Sequence, residues 1–200
     1  MPETKTQNSF FGFYRLKNSL PRLAILSIII LTVLQLYHQG RIVWCKLGDY
    51  APWSSDAWGS HNSQHLFDPY SFTHILHGVL YFWLINLIFR KKTFVQQLAL
   101  AIFVECAWEI LENTNQVIEH YRTATFALNY YGDSIANSLG DILSCGIGFW
   151  LACKLKFRLS LALFLLVETI LLISIHDSLL LNIVMLIYPI EAVKVWQSNM

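Results

Sequence analysis

Long apolar runs occur at six places in the chain: Leu20–Tyr37, Phe72–Phe89, Phe94–Leu111, Ile135–Cys153, Leu159–Ile175 and the shorter Leu179–Ala192. About 20 apolar residues in a helix cross roughly 30 Å of hydrocarbon. The pattern therefore predicts an all-α, polytopic membrane protein with about six transmembrane helices. The last run is the weakest, because it carries Asn182 and Pro189 and is barely long enough to span. The predicted organisation is a segment at 1–19 followed by one helical membrane domain at 20–200, with outer loops at about 39–71 and 112–134.

Charge orders these spans. With six crossings, one side holds Lys5, Arg15, Lys17, Arg22, Arg90, Lys91, Lys92, Lys154, Lys156, Arg158 and Lys194, and the other holds only Arg41, Lys46 and Arg122. Cytoplasmic loops carry the excess of Lys and Arg, so both termini, with the 1–19 segment, are expected in the cytoplasm. The first run follows a basic stretch, but no small-residue cleavage site comes after it, and it reads as a retained anchor. All seven histidines and most acids fall on or near the opposite, outer side.

Composition narrows the class. The 200 residues are 55% hydrophobic and only 14% charged, with a formal net charge of +1. A soluble domain carries roughly a quarter charged residues, and no basic field points to nucleic acid. Cys106, Cys145 and Cys153 sit in apolar runs and Cys45 stands alone in a polar stretch, so no disulfide framework or CxxC knuckle is present.

Acids inside apolar runs are costly against lipid and should face a cavity or each other. Glu105, Glu109 and Glu112 are spaced i, i+4, i+7, and Asp133, Asn137 and Asp141 are spaced i, i+4, i+8. His74, His77 and Tyr81 follow at i, i+3, i+7. Each set forms one polar stripe on a helix, and three stripes together can line a funnel. At about 1.5 Å per residue, Glu105, Asp141 and Glu168 lie at one depth, roughly 10–12 Å below the outer ends of their helices.

Imidazole nitrogen beside carboxylate oxygen suits a divalent ion such as zinc or manganese. His74, His77 and Asp133 are the candidate ligands, with interhelical hydrogen bonding and substrate contact as open alternatives. Ser134 reads as a helix cap rather than a nucleophile, since Gly132-Asp133-Ser134 directly precedes an apolar run. Arg122 is the lone cation of its loop, suited to phosphate or carboxylate, or to pairing with Glu119 or Asp133.

These residues carry a resemblance. Asn62-Ser63-Gln64-His65, Ser71-x-x-His74-x-x-His77-Gly78, Trp108-Glu109-x-x-Glu112-Asn113, Tyr121-Arg122 and Tyr131-Gly132-Asp133-Ser134-x-x-Asn137-Ser138-x-x-Asp141 resemble a bacterial integral membrane family catalogued as a domain of unknown function and best known from proteobacteria. Asp177-Ser178-Leu179-x-Leu181-Asn182 and Trp196-Gln197 resemble its final segment. The likeness covers roughly Arg41 to Gln197, and more distantly the polar stripe is similar to that of VanZ-like membrane proteins. One departure is Leu47, where the family pattern implies a second cysteine two residues after Cys45; that weakens metal binding through cysteines. The resemblance implies a location in the bacterial inner membrane and brings no activity.

The functional expectation is a membrane-embedded, metal-dependent hydrolase or transferase acting on a lipid or lipid-linked substrate at the outer leaflet, its polar site facing the periplasm. Glu109, Glu112, Asp133 and Asp141 are the candidate acids and bases. Arg122, Asn113, Asn137, Tyr121 and His65 are candidate substrate contacts. The alternatives are a proton- or solute-coupled transporter using Glu105, Asp141 and Glu168, and a non-catalytic scaffold whose polar stripes hold helices together.

Overall fold

The computed structural model describes residues 4–125, 127 and 129–199, and side-chain surroundings from residue 19 onward. Its elements are α1 (Thr4–His38), α2 (Ser71–Ile88), α3 (Phe94–Glu112), α4 (Asn115–Ala124), α5 (Ile135–Ile175), α6 (Leu179–Ile187) and α7 (Glu191–Gln197). Among the described residues, four segments are long and apolar enough to cross a membrane: Ser19–His38, Ser71–Ile88, Phe94–Glu112 and Ile135–Ile175.

Local chemistry sets the helix starts. Thr93 and Gln96 form a reciprocal capping box at α3. The Ser134 hydroxyl accepts from Asn137 N at α5, as its position before the apolar run predicts. Thr114 and Ser178 cap α4 and α6 in the same way. Each cap satisfies a backbone N–H that has no partner inside the helix.

The core lies between α2 and α5, where Leu76, Val79 and Phe82 meet Phe149, Ala152 and Phe164. Two glycines allow the contact: a Cβ on Gly78 would run into the Cys145 carbonyl, and one on Gly148 into the Ile75 carbonyl. Close approach through small residues is how membrane helices gain packing energy where no hydrophobic effect drives them together. Ile25, Ile28 and Ile29 of α1 pack on Ile102 and Cys106 of α3 and Ile142 of α5. Outward faces carry exposed Leu84, Leu87, Phe103, Leu143, Trp150, Leu165 and Ile173, an apolar jacket rather than a soluble surface.

The structure departs from six crossings. The runs at Ile135–Cys153 and Leu159–Ile175 are two arms of α5, broken at Lys156 with φ 61° and ψ 175°. The arms fold back on each other: the first starts beside the 39–70 loop, where Ser134 N donates to Ser63 O. The second ends beside the same loop, where Trp58 Nε1 donates to Ile175 O. The run Leu179–Ala192 is not one helix. It splits into α6 and α7 around Tyr188 and Pro189, and nine residues of α6 reach only about 14 Å, half of a bilayer core.

This changes the C-terminal end. His176 stacks on Trp196 with ring centroids 4.3 Å apart, and Lys194 Nζ donates to Thr123 O at 2.8 Å. Lys194 therefore sits with α4 at the end opposite Arg90–Lys92 and Lys154–Arg158, not with them as a six-crossing count requires. The 112–134 loop also contains a helix of its own, α4.

Candidate functional site

α2, α3, α5 and the 39–70 loop converge at the end of the bundle where α2 begins, and α4 and α6 roof the space. The result is a cavity of about 310 Å³ lined by His74, His77, Glu112, Asp133, Asp141 and Tyr121, among others. Leu80, Trp108, Ile183 and Leu186 form its apolar side, with Leu80 and Ile183 more than 40% exposed on the bundle surface. The cavity thus joins a polar floor to an apolar flank that opens on the bundle surface.

Behind the floor, one carboxylate holds both histidines. Glu105 is fully buried; His74 Nδ1 donates to its Oε1 at 2.5 Å, and His77 Nδ1 to its Oε2 at 3.1 Å. With Nδ1–H given to the carboxylate, each ring keeps its lone pair on Nε2. His74 Nε2 lies 3.8 Å from Asp141 Oδ2, while Asp141 Oδ1 accepts from the Ser71 hydroxyl at 2.8 Å. Asp133 is fixed by Asn113, whose Nδ2 donates to Oδ2 at 2.7 Å and whose Oδ1 accepts Asp133 N at 2.8 Å.

Negative charge is in excess. Glu105, Glu109, Glu112, Asp133 and Asp141 are all buried beside two imidazoles. Neither oxygen of Glu109 has a hydrogen-bond partner among the described residues, although His74 Nδ1 is 3.5 Å from Oε1. Buried carboxylates of this density hold protons or a cation, because their mutual repulsion and lost hydration are otherwise uncompensated. Donor atoms of His74, His77 and Glu105, and of His74, Glu109 and Glu112, gather within 4.8 Å in two overlapping sets.

Of the residues singled out from sequence, the cleft brings together His74, His77, Glu112, Asp133, Asp141 and Tyr121, with Glu109 and Asn113 directly behind. Asn137 is buried on α5, its amide nitrogen without a partner among the described residues. Two lie elsewhere. Arg122 is on α4, 3.3 Å from Glu119 and 4.5 Å above the Tyr131 ring, away from the cavity lining. His65 is buried in the 39–70 loop against the Ala51 carbonyl at 2.6 Å. Glu168 does not join the other mid-depth acids. Its two oxygens accept Leu179 N and Leu180 N at 2.9 and 3.3 Å, so it caps α6.

Sequence spacing did not single out Tyr70 or the role of Asp177. The Tyr70 hydroxyl donates to Asp177 Oδ2 at 3.2 Å, and Asn182 Nδ2 donates to the same oxygen at 3.3 Å. Burial pushes the Asp177 carboxyl up to about 6 against these hydrogen bonds. Asp68, which takes Tyr70 N and Ser71 N before α2, is also pushed up to about 6, by burial and then by the charge of Asp133. The signal for Asp68 and Asp177 was their place just before an apolar run, where caps are expected, and for Asp177 also the motif shared with the family's final segment.

Comparison with known proteins places this geometry in a family without a described activity. A family described as "Protein of unknown function (DUF2585)" matches residues 36–199. The chain is 41% identical to a UPF0314 protein of Rhizobium johnstonii over 88% of this chain and 90% of the relative. It is 41% identical to one of Brucella anthropi over 89% and 90%, and 39% identical to one of Paracoccus denitrificans over 91% and 94%. No solved structure matches the chain.

Proposed function

We propose that this chain, which belongs to the DUF2585 family of proteins of unknown function, is a bacterial inner-membrane, metal-dependent hydrolase or transferase for an amphiphilic, lipid-like substrate. The observation that carries this reading is the Glu105 carboxylate accepting Nδ1–H from both His74 and His77. A carboxylate behind a histidine is the arrangement that fixes tautomer and ring orientation in metal sites.

The close contact between His74 and Glu105 supports an outer role for the carboxylate. Ligand atoms on one ion lie about 3 Å or more apart, so His74 Nδ1 and Glu105 Oε1 make a hydrogen bond rather than share a metal. The ion, zinc or manganese, would then be held from the cleft side by His74 and His77, with Asp133 or Asp141 completing the set. When bound it supplies a Lewis acid. Glu112, buried on the cleft wall, is the group to take the proton from an attacking water. The flank of Leu80, Ile183 and Leu186 would take the apolar chain.

Orientation follows from the basic residues. Arg90, Lys91 and Lys92 in the α2–α3 turn, and Lys154, Lys156 and Arg158 at the break in α5, lie at the end away from the cleft. The positive-inside rule puts that end in the cytoplasm and the cleft at the periplasmic leaflet.

The test is manganese binding to purified protein, followed by electron paramagnetic resonance. One ion per chain, lost in His77→Ala, supports the reading. Unchanged stability with and without chelator, and no bound ion, would remove it. A second reading, a proton or cation pathway, is favoured by the burial of Glu109 among other carboxylates, with His74 Nδ1 3.5 Å from its Oε1. Proteoliposome uptake abolished by Glu109→Gln in metal-free protein would select it.

A further inference from the structure

The 39–70 loop runs for some thirty residues with one isolated bridge, Trp53 to Phe67, as its regular structure. Loops of this length inside a compact domain are uncommon without something to hold them. This one forms the wall that contributes Asn62 and Ser63 to the cleft, and it is pinned to Gly132 and Ser134, just before α5, through Ser63 O, Gln64 O and Gln64 Nε2.

Within it, three donor side chains converge, Cys45, His61 and His65, their ligand atoms all within 4.8 Å of one another; Asp49, four residues after Cys45, approaches the group through His65. Cys45 Sγ is 3.6 Å from His61 Nδ1. His61 Nδ1 is 3.0 Å from His65 Nε2, and His65 Nε2 is 3.9 Å from Asp49 Oδ2. Cys45 and His65 are buried. With zinc–sulfur and zinc–nitrogen bonds near 2.3 and 2.0 Å, a tetrahedral ion sets its sulfur–nitrogen edge at about 3.5 Å and its nitrogen–nitrogen edge at about 3.3 Å. The sulfur–nitrogen and nitrogen–nitrogen separations fall close to those edges, while the 3.9 Å from His65 Nε2 to Asp49 Oδ2 would have to shorten.

Hydrogen bonding alone leaves the cluster badly served. His65 Nδ1 faces the Ala51 carbonyl at 2.6 Å, and a carbonyl only accepts, so that nitrogen carries the proton and Nε2 has the free lone pair. The same carbonyl contact is the outer partner that metal-bound histidines use. Sγ of Cys45 and Nε2 of His65 then both point at a single atom, His61 Nδ1, which has one hydrogen at most to share between them. An ion at the centre satisfies all of them. The presenting turns are built independently of it. Gly48, at φ 76°, closes the turn on the Cys45 carbonyl. Asp49 Oδ1 accepts Ala51 N, and Asp56 takes Gly59 N and His61 N.

We propose that Cys45, His61 and His65 form a structural zinc site that clamps the 39–70 loop, with the neighbouring Asp49 carboxylate drawn in as the fourth ligand when the ion binds. One thiolate, one carboxylate and two neutral imidazoles neutralise Zn²⁺, so the finished site carries no net charge to bury. All four protein ligands close the coordination shell, as structural rather than catalytic zinc sites do. The missing second cysteine, Leu47, is no obstacle, since the two histidines supply the nitrogen ligands.

The test uses cobalt chloride on purified, zinc-depleted protein. Bound Co²⁺ at this site gives near-ultraviolet thiolate-to-cobalt absorption, which the imidazole and carboxylate donors proposed for the His74/His77 cleft do not give. The absorption is expected in the wild-type chain and in His77→Ala, to vanish in Cys45→Ser, and to rise about twofold in His61→Cys, a ligand-preserving variant that covers the case in which Cys45→Ser does not fold. Saturated wild-type protein without this absorption would overturn the proposal, as would a band that survives Cys45→Ser. Because manganese disfavours thiolate, the manganese signal of the cleft is expected to persist in Cys45→Ser, so either site can fail without the other.

Discussion

Replacing Glu105 by Gln keeps the side chain's size and removes the charge that two imidazoles face. The amide oxygen can accept one Nδ1–H, but its NH₂ then confronts the other ring, which must change tautomer or turn away. Glu105 has no exposure, so water cannot repair the loss. Outer-shell partners of metal-bound histidines cost 10–100-fold in affinity when removed, equivalent to about 1.4–2.7 kcal/mol. Manganese titration followed by paramagnetic resonance, in competition with a chelator of known affinity, is expected to show that weakening with one site retained. His74→Ala is expected to abolish binding. Two results would refute the reasoning: an affinity within about threefold of wild type, or complete loss equal to His74→Ala, which would make Glu105 a ligand itself.

Other consequences follow from the same contacts. Glu168→Ala strips two backbone N–H groups at the start of α6 of their acceptor and should cost about 2 kcal/mol, read as a lower unfolding midpoint in detergent with manganese binding per folded molecule unchanged. Gly78→Ala drives a Cβ into the Cys145 carbonyl and should lose about 1–3 kcal/mol, whereas Gly146→Ala, whose nearest neighbour is a side-chain methyl at 3.8 Å, should be near neutral in the same assay. Asp177 has its folded value pushed up to about 6 from 3.8. The folded state therefore binds the extra proton, and its contribution is present at low pH and lost as pH rises through about 6. Between pH 4 and 6 the group should lower stability by up to about 1.4 kcal/mol per pH unit as pH increases. Asp177→Asn should flatten that slope, and an unaltered pH profile would contradict the burial argument.

How far the sequence reaches is clearest element by element. The apolar runs locate α1, α2, α3 and both arms of α5, because lipid-length hydrophobicity is a property of the segment alone. They fail at Leu179–Ala192, where Tyr188 and Pro189 interrupt the helix and His176 and Trp196 stack across the gap. Spacing places Glu105, Glu109 and Glu112 on one face of α3, since helical periodicity is local. It cannot say that Glu105 meets His74 and His77 from α2, a contact made by packing between helices. Ser134 was legible as a cap and Glu168 was not, because its partners lie on the next helix. Arg122 was half legible: its pairing with Glu119 was one of the two readings open from sequence, and α4 realises it by setting the two residues three apart on one helical face. Cys45 looks isolated in sequence for a similar reason, since the turns at Gly48 and Asp56 are what bring it to His61 and His65.

The central claim is that His74 and His77 together hold a metal ion in the cleft. Electron spin-echo envelope modulation on the manganese-loaded protein tests it most directly, because it detects nitrogen nuclei bonded to the ion. The account predicts coupling from two imidazole nitrogens in the wild-type chain and in Cys45→Ser, and no bound ion to give coupling in His77→Ala. A bound manganese ion with no nitrogen coupling, or with coupling indifferent to both His74→Ala and His77→Ala, would contradict it.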